Sequence, residues 1–127
     1  MLTIRQIRIN NPPDGCFLYS GGEDAMLSSW NSLDMVDSEG QNKRTLRSSW
    51  TASDHSLPVT CVHSGKAGGR VYSSSLDRTA KAWEAFSGQL LLSVACPTFL
   101  RSIVTDPAET FLFIGCGGGT ILQVGSG

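Results

Sequence analysis

The sequence has little charge, and the two signs almost cancel. Ten Lys and Arg stand against eleven Asp and Glu in 127 residues, which gives a net charge of −1. A near-neutral chain has no overall field that attracts nucleic acid or an anionic membrane, so any such contact must come from a local cluster. The apolar fraction of 40 % is still high enough for a packed core, which excludes a disordered tail.

Long apolar runs and paired cysteine motifs are also missing. No run approaches the roughly 18 apolar residues that span a bilayer. The start, MLTIRQIRINNPPDG, alternates apolar residues with Arg and Gln and lacks the apolar centre of a secretory signal. The four cysteines contain no C-x-x-C pair, and we expect all of them to be reduced, buried or half-buried side chains. They are Cys16, Cys61, Cys96 and Cys116.

Motifs of catalysis and cofactor binding are absent as well. The glycine run at 115–119 lacks G-x-G-x-x-G spacing and precedes a strand pattern, so it indicates a tight turn. Ser-Gly-Lys at 64–66 is followed by Ala and is not a phosphate-binding loop. His55 and His63 lack metal-site spacing, and no G-x-S-x-G motif occurs. We therefore predict no catalytic residue, no metal, no cofactor and no small-molecule substrate.

What the chain does contain is an internal repeat. Cys16–Trp30, Arg70–Trp83 and Thr110–Val124 each show an apolar run, a turn of small residues and a second apolar run. Asp24 and Trp30 precede Asp77 and Trp83 by the same number of residues. This pattern is typical of β-hairpins, and the Gly and Asp residues fall where the turns need them.

Flanking strands complete each repeat into a four-stranded unit, and no helical period is sustained; 53–57 could form one turn at most. The predicted strands are Leu2–Ile9, Cys16–Ser20, Met26–Asn31 and Thr45–Trp50, then Val59–His63, Arg70–Ser74, Ala80–Glu84 and Leu90–Ala95, then Arg101–Thr105, Phe111–Gly115 and Thr120–Val124. The units cover about 1–50, about 55–96 and about 99–125 of one domain, 1–127. We expect the polar insertion at 31–44 to be disordered.

One stretch resembles a known family. SSSLDRTAKAWE at 73–84, preceded by His55 in DHSLPVTCV, is similar to the repeat of WD-repeat β-propellers. The resemblance implies an all-β, incomplete propeller of about three four-stranded antiparallel blades, the last of which lacks its outer strand. Three blades cannot close a ring, and open edges expose unpaired backbone groups. We therefore expect the chain to be a fragment or to gain blades from elsewhere, and to be marginal or aggregation-prone alone.

The resemblance also implies a structural hydrogen-bond network in the second unit. His55 would donate to Asp77, a strand serine (Ser73 or Ser75) would bridge them, and the Trp83 indole would be satisfied. A buried carboxylate is costly unless it is hydrogen-bonded in this way. In the first unit Asp24 and Trp30 take the equivalent places, whereas the third has Gly118 and Val124 there.

The runs YSGGEDAMLSSWNSLDMV, SSLDRTAKAWEAFSGQLLLSV and GCGGGTILQV further resemble the propeller subunits of the complex that processes pre-rRNA for the 60S ribosomal subunit. This implies a non-enzymatic scaffold in the nucleus (nucleolus and nucleoplasm) that binds the protein subunits of that complex. Lys43, Arg44 and Arg47 form a basic cluster that could contact pre-rRNA weakly or indirectly, although solvated surface charge is the default.

Two other functions stay open. The chain could be a WD-repeat adaptor of another complex, such as a substrate receptor for a ubiquitin ligase. A propeller hydrolase or lectin would need paired carboxylates or a metal site. The candidate carboxylates Asp54, Asp77 and Asp106 lie in turns or near prolines, where Asp is commonly a turn former.

Overall fold

The computed structural model describes residues 4–10, 17–37 and 44–126. Within these ranges the chain forms strands, turns and loops, as the alternating apolar pattern predicted. The strands are β1 (Ile4–Asn10), β2 (Phe17–Gly22), β3 (Leu27–Asp37), β4 (Arg44–Ala52), β5 (Val59–Ser64), β6 (Arg70–Ser75), β7 (Thr79–Glu84), β8 (Leu90–Ala95), β9 (Leu100–Thr105), β10 (Phe111–Cys116) and β11 (Ile121–Gly125). No helix in the described ranges is long and apolar enough to cross a bilayer.

The strands form three separate antiparallel sheets, which we name blade 1 (β1–β4), blade 2 (β5–β8) and blade 3 (β9–β11). Within each sheet, every strand pairs with the strands next to it in sequence, so each sheet is a meander. The first strands of the blades, β1, β5 and β9, lie next to one another. This is the radial arrangement of an unclosed β-propeller. The predicted blades, with a third that lacks its outer strand, are confirmed.

Strand β3 is longer than the sequence pattern indicated. It continues through the first part of the polar insertion to Asp37 and pairs Met35 with Leu46 and Asp37 with Arg44. The expected disorder over 31–44 therefore does not extend to 31–37 or to Arg44, and residues 38–43 lie outside the described ranges. Apolar residues at 33 and 35 alternate with polar ones at 32 and 34, which favours a strand despite the polar composition.

Blades 1 and 2 bury one apolar layer between them. Its fully or almost fully buried members are Tyr19 and Leu27 of blade 1 and Val59, Val62, Val71, Trp83 and Ala85 of blade 2. Trp50 of β4 closes the outer side of this layer, because its ring stacks on Trp83 at 6.5 Å between centroids. The Trp50 indole also donates to the carbonyl of Ala85 over 2.9 Å. The outer strand of blade 1 is thereby attached to blade 2.

A second apolar layer joins blades 2 and 3. It contains Cys61, Tyr72, Ala80, Ala82 and Cys96 on one side and Leu100, Ile103, Leu112, Ile114 and Cys116 on the other. The cysteines at 61, 96 and 116 are buried and free, as predicted, whereas Cys16 lies outside the described ranges. Blade 2 is covered on both faces, which explains why five successive residues of β6, Val71–Ser75, are all buried.

Glu109 fastens blade 3 to blade 2 at one end of the sheets. Its carboxylate accepts hydrogen bonds from the Tyr72 hydroxyl over 2.7 Å and from the Ala67 amide over 3.3 Å. Burial and the adjacent Glu109 raise the pKa of Tyr72 to about 12. Glu109 itself has a φ of 56°, a region that side chains other than Gly rarely occupy. The contacts of its carboxylate compensate for that unfavourable backbone conformation.

Gly21 of β2 provides a test of how closely blades 1 and 2 approach. A Cβ atom there would collide with the Val59 side chain of β5. We expect Gly21→Ala to lower the free energy of unfolding by about 1–3 kcal/mol, the usual cost of overpacking. The matched control is Gly69→Ala, where a Cβ atom would meet nothing within 4 Å. Equal urea midpoints for the two variants would contradict the close packing of the blades.

Candidate functional site

The turn between β6 and β7 is built around Asp77. Its Oδ1 accepts from the Thr79 amide over 2.8 Å and from the Thr79 hydroxyl over 2.5 Å. An aspartate that bonds the backbone two residues ahead is a common turn-forming device. Arg78 between them has a φ of 72°, so the turn is tight enough to require the left-handed region.

His55 connects this turn to the strand interior. Its Nδ1 lies 2.9 Å from Asp77 Oδ2, and its Nε2 lies 2.7 Å from Ser73 Oγ. The Trp83 indole nitrogen lies 2.9 Å from the same Ser73 oxygen. The structure thus brings His55, Ser73, Asp77 and Trp83 into one chain of contacts, and we call these four residues the His55 network.

The direction of each hydrogen bond follows from the available protons. An indole N–H can only donate, so the Trp83 nitrogen donates to Ser73 Oγ. The Asp77 carboxylate, ionised at neutral pH, can only accept, so His55 carries its proton on Nδ1 and donates it to Asp77. In the neutral imidazole Nε2 is then unprotonated and accepts from the Ser73 hydroxyl. Each of these hydrogen bonds thus forms with His55 as a neutral imidazole.

The titration properties agree with that assignment. Burial lowers the pKa of His55 below its usual 6.5, although the hydrogen bond to Asp77 and its charge act in the opposite direction. Burial on its own would raise the pKa of Asp77. Hydrogen bonds from Thr79, His55 and the Ser56 amide outweigh that effect and lower it to about 2. At neutral pH the network therefore pairs a neutral histidine with an ionised aspartate.

Ser75 has a different position from Ser73, which the sequence pattern could not separate from it. Its hydroxyl lies 2.9 Å from each of the Leu57 and Pro58 carbonyl oxygens, and its oxygen accepts from the Asp77 amide over 3.0 Å. Ser75 therefore attaches the linker before β5 to the end of β6. Thr79 is a partner that the sequence analysis missed, and the Asp-x-Thr spacing is the signal that could have indicated it.

The described residues of blade 1 form part of an equivalent network. The Trp30 indole donates to Ser20 Oγ over 2.8 Å, as Trp83 does to Ser73. Asp24 accepts from the Met26 amide over 3.1 Å and caps its own turn. Blade 3 has Gly118, with a φ of 89°, where blade 2 has Asp77, so its turn relies on glycine geometry.

The basic cluster and the His55 network lie on different parts of the chain. Lys43 lies outside the described ranges, and Arg44 and Arg47 lie on β4, the outer strand of blade 1. His55, by contrast, lies in the linker between blades 1 and 2. Elsewhere in the described chain, no group of three or more His, Cys, Asp or Glu residues could hold a metal ion.

Chemically, the His55 network is suited to fastening chain segments together. His55 is 4 % exposed and Trp83 is fully buried. Both imidazole nitrogens and both Asp77 oxygens already have partners within the chain. The network holds the linker before β5 against the β6–β7 turn, and it satisfies polar groups that would otherwise be costly to bury.

Comparison with known proteins agrees with this geometry. The family described as "WD domain, G-beta repeat" matches residues 44–84, which run from β4 to β7 and contain the whole His55 network. The WD40 propeller domain of Doa1 superposes with a TM-score of 0.79 at 17 % identity, covering 98 % of this chain and 37 % of that one. Residues 44–84 therefore match a WD repeat, and the three blades have the fold of part of a WD40 β-propeller.

Among individual proteins, the chain is similar to WD repeat-containing protein 18 of Danio rerio, with 41 % identity over 113 residues, and to that of Homo sapiens, with 37 %. It is also 34 % identical over 113 residues to Pre-rRNA-processing protein IPI3 of Meyerozyma guilliermondii. Each match covers 87 % of this chain. The chain spans about a quarter of the length of these relatives, 26 % for the first and 25 % for the last.

The two serine–tryptophan pairs offer a matched test of the network. Ser73→Ala removes the acceptor of the Trp83 indole and the partner of His55 Nε2, both of which are buried. We expect a loss of roughly 2–4 kcal/mol in the free energy of unfolding, because two polar groups lose their partners. Ser20→Ala removes the Trp30 acceptor at a less buried site and should cost about 1 kcal/mol. Equal losses in urea unfolding would contradict the double role of Ser73.

The lowered pKa of His55 predicts a stability change near neutral pH. Below its ordinary value of 6.5 the unfolded chain binds a proton at this position more readily than the folded chain does. Stability should therefore fall as the pH is lowered from about 7.5 to about 5. Asp77 adds a second loss only below its unfolded value of 3.8, down to about 2.

Thermal melting at several pH values tests this dependence. His55→Gln should be less stable at neutral pH and should lose most of the slope between about pH 7.5 and 5. His63→Gln is the control, because His63 lies on β5 outside the His55 network. If the two variants keep the same slope as the parent chain, His55 is not the titrating group.

Proposed function

We propose that this chain is a non-catalytic scaffold that acts in pre-rRNA processing and maturation of the large ribosomal subunit. The observation that carries the proposal is the similarity to WD repeat-containing protein 18 and to Pre-rRNA-processing protein IPI3, at 34–41 % identity over 113 residues in the three relatives named above. The name of Pre-rRNA-processing protein IPI3 states the process directly. The proposed site of action is the nucleus, including the nucleolus, where pre-rRNA is processed.

The physical mechanism is positional. Two apolar layers hold three blades in a fixed relation, and side-chain contacts reinforce the layers at their margins. Trp50 reaches from blade 1 to the Ala85 carbonyl of blade 2, and Glu109 reaches from blade 3 to Tyr72. A rigid array of this kind presents loops and strand edges at defined distances, which lets partner proteins bind with little ordering cost.

The non-catalytic role is supported by the hydrogen bonds of the His55 and Asp77 side chains. His55 and Asp77 are the side chains that a hydrolase would need, but each is hydrogen-bonded within the network. A general base needs an open path to the proton that it removes.

The proposed partners are the protein subunits of a pre-60S processing complex, with pre-rRNA contacted weakly or through those subunits.

Affinity capture of the tagged protein from a nuclear extract tests this function. We expect large-subunit pre-rRNA, detected by hybridisation, and other large-subunit assembly proteins, detected by mass spectrometry. The proteins should stay bound after ribonuclease treatment, because the proposed contacts are between proteins. The double variant Ser73→Ala, Trp83→Phe is the control for an intact propeller. It should capture neither the pre-rRNA nor the assembly proteins. Capture of a cullin-containing ubiquitin ligase without pre-ribosomal proteins would replace this proposal by the adaptor function.

A further inference from the structure

Two arginines and an aromatic ring lie at the end of the sheets that carries the His55 network. Arg78 belongs to the β6–β7 turn, Phe99 to the linker between β8 and β9, and Arg101 to the start of β9. All three side chains are exposed, Phe99 by 37 %. We call Arg78, Phe99 and Arg101 the arginine surface.

Contacts within the fold hold the aromatic part of this surface in place. The guanidinium carbon of Arg101 lies over the Phe99 ring at 5.2 Å from its centroid. Gly117 of the β10–β11 turn donates its amide to the Phe99 carbonyl over 2.9 Å, and a Cβ atom at 117 would collide with the ring. Phe99 is therefore packed against a glycine backbone, and a guanidinium stacked on such a ring loses less entropy when it binds a ligand.

Arg78 is fixed to the same region through the backbone. Its carbonyl accepts from the Cys96 amide over 2.8 Å, which places the β6–β7 turn beside the linker that carries Phe99. Its sequence neighbour Asp77 is ionised, but both of its carboxylate oxygens are directed at Thr79, His55 and the Ser56 amide. The exposed guanidinium of Arg78 is thus not bonded to the carboxylate beside it in sequence.

Among the described residues, no carboxylate oxygen lies within 4 Å of Arg78 or Arg101. The segments around them, 96–102 and 116–120, contain no Asp or Glu. Two exposed guanidinium groups without a carboxylate contact, on a chain with a net charge of −1, are the feature that needs an explanation.

We propose that the arginine surface binds an acidic, extended segment of a partner protein. Carboxylates match the fork of donors on a guanidinium, and an exposed aromatic ring beside Arg is typical of protein interfaces. Two guanidinium groups are few for a nucleic acid, whose binding depends on neutralising many phosphates. The inference rests on the proposed scaffold role, since it names the chemistry of one partner contact.

Fluorescence anisotropy with the whole chain tests the proposal. The probe is a fluorescein-labelled peptide that alternates Glu and Leu, and the comparison probes are the same peptide with Lys in place of Glu and a single-stranded oligouridine. We expect only the Glu peptide to bind, with an affinity that weakens as salt rises from about 50 mM to about 200 mM. Binding of the Lys peptide with equal affinity would overturn the proposal, and binding of oligouridine alone would indicate a nucleic-acid surface.

Variants locate the binding on the chain. Arg101→Glu should weaken binding of the Glu peptide about tenfold and Arg101→Gln by a smaller factor, because charge reversal adds repulsion to the lost contact. Lys66→Glu makes the same change in net charge in the β5–β6 turn, at the opposite end of the sheets, and should change affinity by less than about twofold. Equal weakening by Arg101→Glu and Lys66→Glu would overturn the assignment to this surface.

The same variants separate this inference from the proposed function. If the Glu peptide does not bind while the parent chain still captures pre-ribosomal proteins, only the arginine surface is wrong. If the peptide binds and is lost in Arg101→Glu, but capture finds no pre-ribosomal proteins, the surface stands and the proposed function is wrong. Thermal melting of each variant checks that the exposed substitutions leave the fold intact.

Discussion

Burial of both faces of the middle sheet is the constraint on which the rest of the structure depends. A single four-stranded sheet cannot bury both of its faces by itself. Both faces of blade 2 are buried because blades 1 and 3 each pack an apolar layer against it. This explains why β6 and β7 contain runs of buried residues, whereas the outer strand β8 alternates between exposed and half-buried ones. The propeller is therefore stabilised between blades more than within them.

Hydrogen-bond networks add specificity to that apolar packing. The His55 network fixes the linker between blades 1 and 2 at one end of the sheets, and Glu109 fixes blade 3 to blade 2 at the other. Each network satisfies polar groups that the packing would otherwise bury without partners. Apolar layers alone would tolerate sliding of one sheet over the next, whereas directional hydrogen bonds at both ends favour one alignment.

Much of this fold could be predicted from the sequence, because a unit of apolar run, turn and second apolar run recurs three times and its turns carry Gly or Asp. The strand Leu90–Ala95 has the bounds that were predicted, and the other strands differ at their ends. The bridging role of Ser73 could not be separated from Ser75, since residues two apart in a strand face the same side. The extension of β3 was missed because its polar composition indicated a loop, and the contacts of Glu109 join residues with no sequence signal that links them.

The link between Ser126 and Glu109 has a mechanical consequence. The Ser126 hydroxyl donates to the Glu109 carbonyl and its amide to that of Thr110, while the Glu109 carboxylate is bonded to Tyr72. Tension applied just beyond β11 is thus transmitted across the β9–β10 loop to the interior strand β6 of the neighbouring blade. A load at this point is shared by two sheets, so the edge strand does not peel away on its own.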